Sequence, residues 1–377
     1  MITILTVPIS EGGKPYYRLK QPLQHLHDKE DDLWVVERRP MNFNISENDM
    51  KHMDILYTNG IHPNILNVFT ELKKQDSSIK LIYDIDDYDW DVPEYHPVHE
   101  QYTKNDAKSV IRNIVSTADT VISSTPKIQQ GLKNEFGKAG NSELVRIAID
   151  YDYHYWNIPK KRDTINVGWV GGAAHEQDLK LIKGIGSWVL NNFKNTKFVL
   201  GGWSSRVTAK GTSRDIYHEG KKNLWVRYLN LLFSKPCNRS RIKILRNRPP
   251  YLYPLMISDI DIMLAPLVKN PYNEAKSRIK LIEASAYSIP AVTSNISPYK
   301  QVIENGKNGF LVNNKLSFGG NTVNNTQGWK DAIGELIENE KLRKDMGKRL
   351  REKLKPIHNI DTQNQKRKKI IKNTMKK

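Results

Sequence analysis

Two stretches of this chain concentrate side chains that can do chemistry. One is Tyr83-Asp84-Ile85-Asp86-Asp87-Tyr88-Asp89-Trp90-Asp91, which closes a strand pattern. An Asp84-x-Asp86 pair can hold a divalent metal, and aspartates at a strand end can equally cap the helix that follows. The other runs from Pro266 to Val292, where Lys276, Arg278 and Lys280 lead into a helical pattern carrying Glu283, followed by Ser288 and a strand opened by Pro290. Helix starts offer unpaired backbone N–H groups to phosphate, so turns of this kind are the places to look for a ligand. Two glycine turns have the same potential: Gly12-Gly13 after the first strand pattern, and Gly171-Gly172 with His175 shortly beyond. Neither spells a P-loop or a dinucleotide fingerprint. His96 and His99 flank Pro97 with no cysteine nearby, which argues against zinc.

The elements that must position these residues alternate as short apolar runs and amphipathic segments, the pattern of parallel-sheet α/β proteins. Strands are expected at Ile2–Val7, Leu33–Glu37, Ile55–Thr58, Lys80–Tyr83, Thr120–Ser123 and Leu144–Ile149, with helices at Tyr17–His27, Ile61–Gln75 and Asn105–Ala118. A linker around Pro159 interrupts the alternation. It restarts with strands at Ile165–Val170, Lys197–Leu200, Ile242–Leu245, Asp261–Leu264, Ala291–Thr293 and Gly309–Val312. With 377 residues, too many for one core, the expected architecture is two successive sheet domains, residues 1–158 and 159–345. Residues 346–377 follow as a basic helix and a tail, and from Thr362 onward the Lys- and Asn-rich composition predicts a segment that does not bury itself. Met1–Ile9 reads as a first strand, not a signal peptide. No apolar run approaches the roughly 18 residues of a membrane span, and a single cysteine, Cys237, fits a reducing compartment.

Charge is distributed unevenly. Up to Lys160 there are 18 basic and 24 acidic residues; beyond it there are 41 and 17. Residues 203–240 form an expected insertion in which Arg206, Lys221, Lys222 and Arg227 interleave with Trp225, Tyr228 and Phe233. Cations among aromatics suit a nucleic-acid backbone with displaced bases to stack; an amphipathic membrane-surface helix has the same composition.

The segment around Glu283, with Ala286, Pro290 and Val292, resembles the donor site of family 4 glycosyltransferases (glycosyl transferases group 1) of the GT-B fold. Asp259-Ile260-Asp261-Ile262, Asn305-Gly306-Lys307-Asn308-Gly309 and Ala118-Asp119 resemble the family too. Two positions depart from its pattern: Ser288 stands where a glycine is usual, and the first glutamate of the family's pair falls on Ala275, with Glu274 one residue early. The resemblance implies two Rossmann-like domains facing a cleft and a retaining transfer from a nucleoside diphosphate sugar, UDP-glucose being the expected donor. It also implies no required metal, whereas the metal-binding D-x-D belongs to the rival GT-A fold.

On that resemblance Glu283 accepts the vicinal ribose hydroxyls, since a carboxylate takes such pairs through charge-assisted bonds. Lys276, Arg278 and Lys280 neutralise the diphosphate, and Gly12, Gly13, Gly171, Gly172 and His175 complete the donor site. Asp84, Asp86 and Asp87 stand where many relatives carry a histidine near the anomeric carbon, a variant associated with phage-type members. With Glu274 they are the expected catalytic set. The expected acceptor is double-stranded DNA bearing a hydroxylated pyrimidine, held at Arg206, Lys221, Lys222, Trp225 and Arg227, with the protein in the cytoplasm, of the host cell if viral. The alternatives are a polysaccharide or lipid-linked acceptor, and an inactive glycosyltransferase scaffold that binds nucleic acid.

Overall fold

The computed structural model describes residues 1–75, 78–159, 162–203, 224–318 and 321–377. The first domain is a parallel sheet of β1 (Ile2–Val7), β2 (Leu33–Glu37), β3 (Ile55–Asn59), β4 (Lys80–Ile85), β5 (Thr120–Ser123) and β6 (Glu143–Leu144) in the order β2-β1-β3-β4-β5-β6. The second contains β7 (Ile165–Val170), β8 (Thr196–Trp203), β9 (Ile242–Arg246), β10 (Ile262–Ala265), β11 (Ala291–Ser294) and β12 (Phe310–Val312), also parallel, ordered β12-β11-β10-β7-β8-β9. Every residue of β3, β5, β10 and β11 is buried, which is why these strands read as unbroken apolar runs; the edge strands β2 and β9 alternate with exposed residues.

Two expectations need correcting. The strand expected at Leu144–Ile149 shrinks to Glu143–Leu144, because the chain leaves the sheet to reach the domain junction, where Ile149 pairs with Asn359. The tail does not stay solvated either. Helix Glu340–His358 packs on helix Ile279–Ala286, and a second helix, Ile360–Thr374, then crosses back onto the first domain. There Ile370 and Ile371 join a core with Ile4, Leu19, Leu23, Leu26 and Tyr57. Lys368 pairs with Glu30 and Lys372 with Asp32. Its lysines therefore face an acidic domain rather than one another, and part of the charge asymmetry along the chain is neutralised internally.

Ser288, where the family motif has glycine, adopts φ 53°, the left-handed region that glycine enters without penalty. Helix Glu340–His358 rests directly on this turn: a Cβ at Gly347 would fall 1.8 Å from the Ser288 carbonyl oxygen.

Candidate active site

The carboxyl ends of both sheets open onto one cavity of about 410 Å³ between the domains. The first domain contributes Gly13 and Lys14 from the turn after β1, and Asp86 and Asp87 from the turn after β4. Lys14 Nζ lies 2.8 Å from Asp87, 3.4 Å from Asp86 and 3.3 Å from Asp89. Burial alone would lower the lysine, but the three carboxylates outweigh it and hold the ammonium well above its usual range. The aspartates divide. Burial lifts Asp86 to about 7 despite Lys14, whereas at Asp87 the Lys14 and Lys276 cations overcome burial and keep the carboxyl ionised, below its ordinary value.

The opposite wall belongs to the second domain. Gly171 and Gly202 let β7 and β8 end backbone against backbone: a Cβ at Gly202, whose φ is 97°, would stand 2.2 Å from the Gly171 carbonyl oxygen. Gly172 faces open space within the cavity. From the β10 side come Lys276, just past the short helix Pro271–Ala275, and Lys280 and Glu283, three apart on one face of helix Ile279–Ala286. Lys276 lies 4.5 Å over the Tyr272 ring, and Lys280 donates to the Val170 carbonyl at 2.7 Å. Burial lowers Lys280 to about 8, partly offset by Glu283, and the Glu283 carboxyl is itself lifted by burial to about 7. Tyr17, from the first domain, donates its hydroxyl to Glu283 Oε1 at 2.8 Å across the cleft.

His175 binds Asp178 through Nδ1 at 2.7 Å and is lowered, first by burial and then by Lys280. With Nδ1 donating, Nε2 of the neutral ring is an acceptor, suited to a hydroxyl and not to a phosphate oxygen.

Four other expected site residues do not line the cavity. Asp84 is fully buried in the first domain's core, paired through both oxygens with Arg18 at 2.7 and 2.9 Å and with the Tyr57 hydroxyl at 3.1 Å. Arg278, the N-cap residue of helix Ile279–Ala286, bonds Gln301 at 2.7 Å and does not line the cavity. Glu274 sits on the separate short helix Pro271–Ala275 and pairs with Lys127 at 3.1 Å, bridging the domains beside the cavity. Gly12 lines the neighbouring groove and not the cavity.

Of the nucleic-acid set, Arg206, Lys221 and Lys222 lie outside the described residues. Trp225 is fully buried, edge-on to Trp169 and Tyr228, and Phe233 is buried with them, so this aromatic cluster is core and not a stacking platform. Arg227 is half exposed and pairs with Glu176. The sequence reading missed Lys14, Tyr17, Asn247, Tyr253 and Tyr299, all of which line the cavity. Lys14 had a signal, since it directly follows Gly12-Gly13; the others stand in ordinary helix or loop contexts. Among the described residues no three His, Cys, Asp or Glu side chains converge as a metal-binding group.

Residues 238–353, which include Lys276, Lys280 and Glu283, match the family model for glycosyl transferases group 1. Its match to this wall of the cavity, on two facing parallel-sheet domains, decides the identification. The chain is a GT-B glycosyltransferase. No curated protein matches its sequence. Among solved structures it is similar to Anabaena HepE in complex with UDP and glucose, at 14% identity and a TM-score of 0.66 over 99% of this chain and 100% of that one. It is similar also to a glycosyltransferase from Rickettsia africae, at 15% identity and a TM-score of 0.64 over 100% and 99%. A third similar structure is an alpha-glucosyltransferase in complex with UDP and a 13-mer DNA containing an HMU base, at 12% identity and a TM-score of 0.63 over the whole of both chains. At such identities these likenesses speak to the fold. They agree with the architecture expected from the sequence, and no described helix of this glycosyltransferase is long and apolar enough to cross a membrane.

Proposed function

We propose that the cavity binds a UDP-sugar and transfers the sugar, with retention at the anomeric carbon, to a hydroxyl presented from the side of the first domain. The observation that carries this reading is the opposition of two walls. Glu283, Lys280 and Lys276 beside Gly171-Gly172 suit a ribose and a diphosphate; Asp86, Asp87 and Lys14 suit the reacting sugar. In the transfer, the bond from C1 to the diphosphate oxygen breaks and a bond from C1 to the acceptor oxygen forms, the acceptor proton passing to the leaving phosphate. Lys276 and the start of helix Ile279–Ala286 stabilise charge growing on the diphosphate, while ionised Asp87 faces positive charge growing on the sugar ring. His175 Nε2 accepts from a sugar hydroxyl.

For the acceptor, the reading is DNA carrying a hydroxymethylated pyrimidine. It is supported by the excess of cations beyond Lys160 and by the likeness to a structure that holds HMU-containing DNA. A second reading, a saccharide acceptor, draws on the groove beside the cavity, where Tyr16, Tyr153 and Tyr251 stand among Glu11, Asp28 and Asp150. Lys20 and Arg248 line the same groove, and carboxylates beside aromatic faces suit neutral sugars. Mass spectrometry of hydroxymethylated DNA and of oligosaccharides incubated with the enzyme and a panel of sugar nucleotides separates the two. A hexose on the nucleoside supports DNA; a hexose on the saccharide alone replaces it; no transfer and no donor hydrolysis contradicts the enzymatic reading. Chelation is expected to leave activity intact.

Donor affinity should depend on pH in a defined window. The ribose requires the Glu283 carboxylate, so binding strengthens as pH rises through about 7. The diphosphate requires the Lys280 ammonium, so binding weakens as pH passes about 8. Calorimetric titration with UDP from pH 5.5 to 9.5, on the order of one and a half units either side of these values, should show a maximum between them. A flat profile would remove both groups from the donor site.

A further inference from the structure

Consecutive residues of one helical turn point into different domains. The segment Tyr16–Lys20 is π-helical, a wide turn that tends to occur at functional positions. From it Arg18 drops into the first domain's core, where Asp84 grips it through both oxygens and the Val145 carbonyl accepts from it at 2.6 Å. Tyr17 points the other way, into a cluster of second-domain side chains with Ile257 and Leu281, and ends on Glu283. The sequence reading gave neither residue a role.

We infer that Tyr17 is a positioning residue for the donor: mounted on the Arg18–Asp84 clamp of one domain, it orients the Glu283 carboxylate of the other for the ribose hydroxyls. The inference rests on the ribose reading of Glu283. A phenol that donates to Oε1 makes Glu283 an acceptor and still leaves lone pairs on both oxygens for two further donors. Three groups face this carboxylate: the Tyr17 hydroxyl, the Lys280 ammonium and the Tyr253 phenol. Tyr17 and Lys280 both favour its ionised form, against burial. Of the two, only Tyr17 comes from the opposite domain, so ribose recognition requires the domains to be in this arrangement.

The test is a titration of wild type and Tyr17→Phe with UDP and with 2′,3′-dideoxy-UDP across pH. Phenylalanine keeps the ring that fills the core, and thermal melting checks that the variant folds. The expected result is a loss of UDP affinity of about three- to tenfold in Tyr17→Phe, the worth of one hydrogen bond, with the acidic limb of the pH profile displaced upward. Loss of packing alone would not move that limb. The dideoxy compound should bind wild type more weakly than UDP and lose little further in the variant. If wild type prefers UDP but Tyr17→Phe binds it equally well or more tightly, with the limb unmoved, Tyr17 does not position Glu283 and the inference fails while the ribose reading stands. If wild type binds both compounds alike, the ribose reading itself has failed.

Discussion

Arg18→Ala should lower the free energy of unfolding by about 3–5 kcal/mol, the cost of leaving a buried carboxylate without its partner. Both side chains are fully buried, so solvent cannot take the place of the guanidinium. The Tyr57 hydroxyl remains on Asp84 at 3.1 Å but brings no charge. Urea unfolding followed by circular dichroism reads the loss. The result separates two meanings of an aspartate in this turn. An Asp84 that acted on the sugar would tolerate loss of Arg18 with little change in stability and a large change in turnover. An Asp84 that anchors the π-helical turn shows the reverse order, with stability affected first.

Turnover should fall by about 10²–10³-fold in Asp87→Asn, the range for removing one electrostatic partner of a transition state. Asp87 is the carboxylate in the cavity held ionised by Lys14 at 2.8 Å and by Lys276. Asparagine keeps its shape and removes its charge. Asp86→Ala should reduce turnover too, with the fold intact, because Lys14 would then lose one of the three carboxylates that fix it. In both variants UDP affinity is expected to stay near wild type, since the proposed nucleotide site is on the opposite wall. Single-turnover assays with saturating donor isolate the step. Full activity in Asp87→Asn would remove the carboxylate from the chemistry, and silencing by chelator with recovery in manganese would favour a metal held by the aspartates.

Much of this architecture was legible because parallel strands buried on both faces leave unmistakable apolar runs; β1, β5 and β7 fall on the residues expected of them. Part of the cavity's second wall was legible as well. Lys280 and Glu283 follow the spacing of one helical face, whereas Lys276 and Arg278 flank the helix, and only the fold sends one to the cavity and the other to Gln301. What escaped was decided by contacts distant in sequence. Asp84 and Asp86 look alike in a D-x-D string, yet one meets Arg18 in the core and the other meets Lys14 in the cavity. Trp225 among cations looks like a surface for bases, but the second sheet needs its bulk as core. A lysine-rich tail looks solvated until the acidic residues Glu30 and Asp32 meet it. The Ser288 departure shows the converse: a backbone geometry kept although the residue that usually permits it is absent.

The central claim is that the interdomain cavity is a nucleotide-sugar site with Glu283 on the ribose. Isothermal titration of wild type and Glu283→Ala with UDP at pH 7.5, roughly midway between the two shifted groups, tests it most directly. The expected result is binding by wild type and a loss of about 1.5–3 kcal/mol in the variant, as fits hydrogen bonds to a charged group. Wild-type UDP affinity in Glu283→Ala would contradict it.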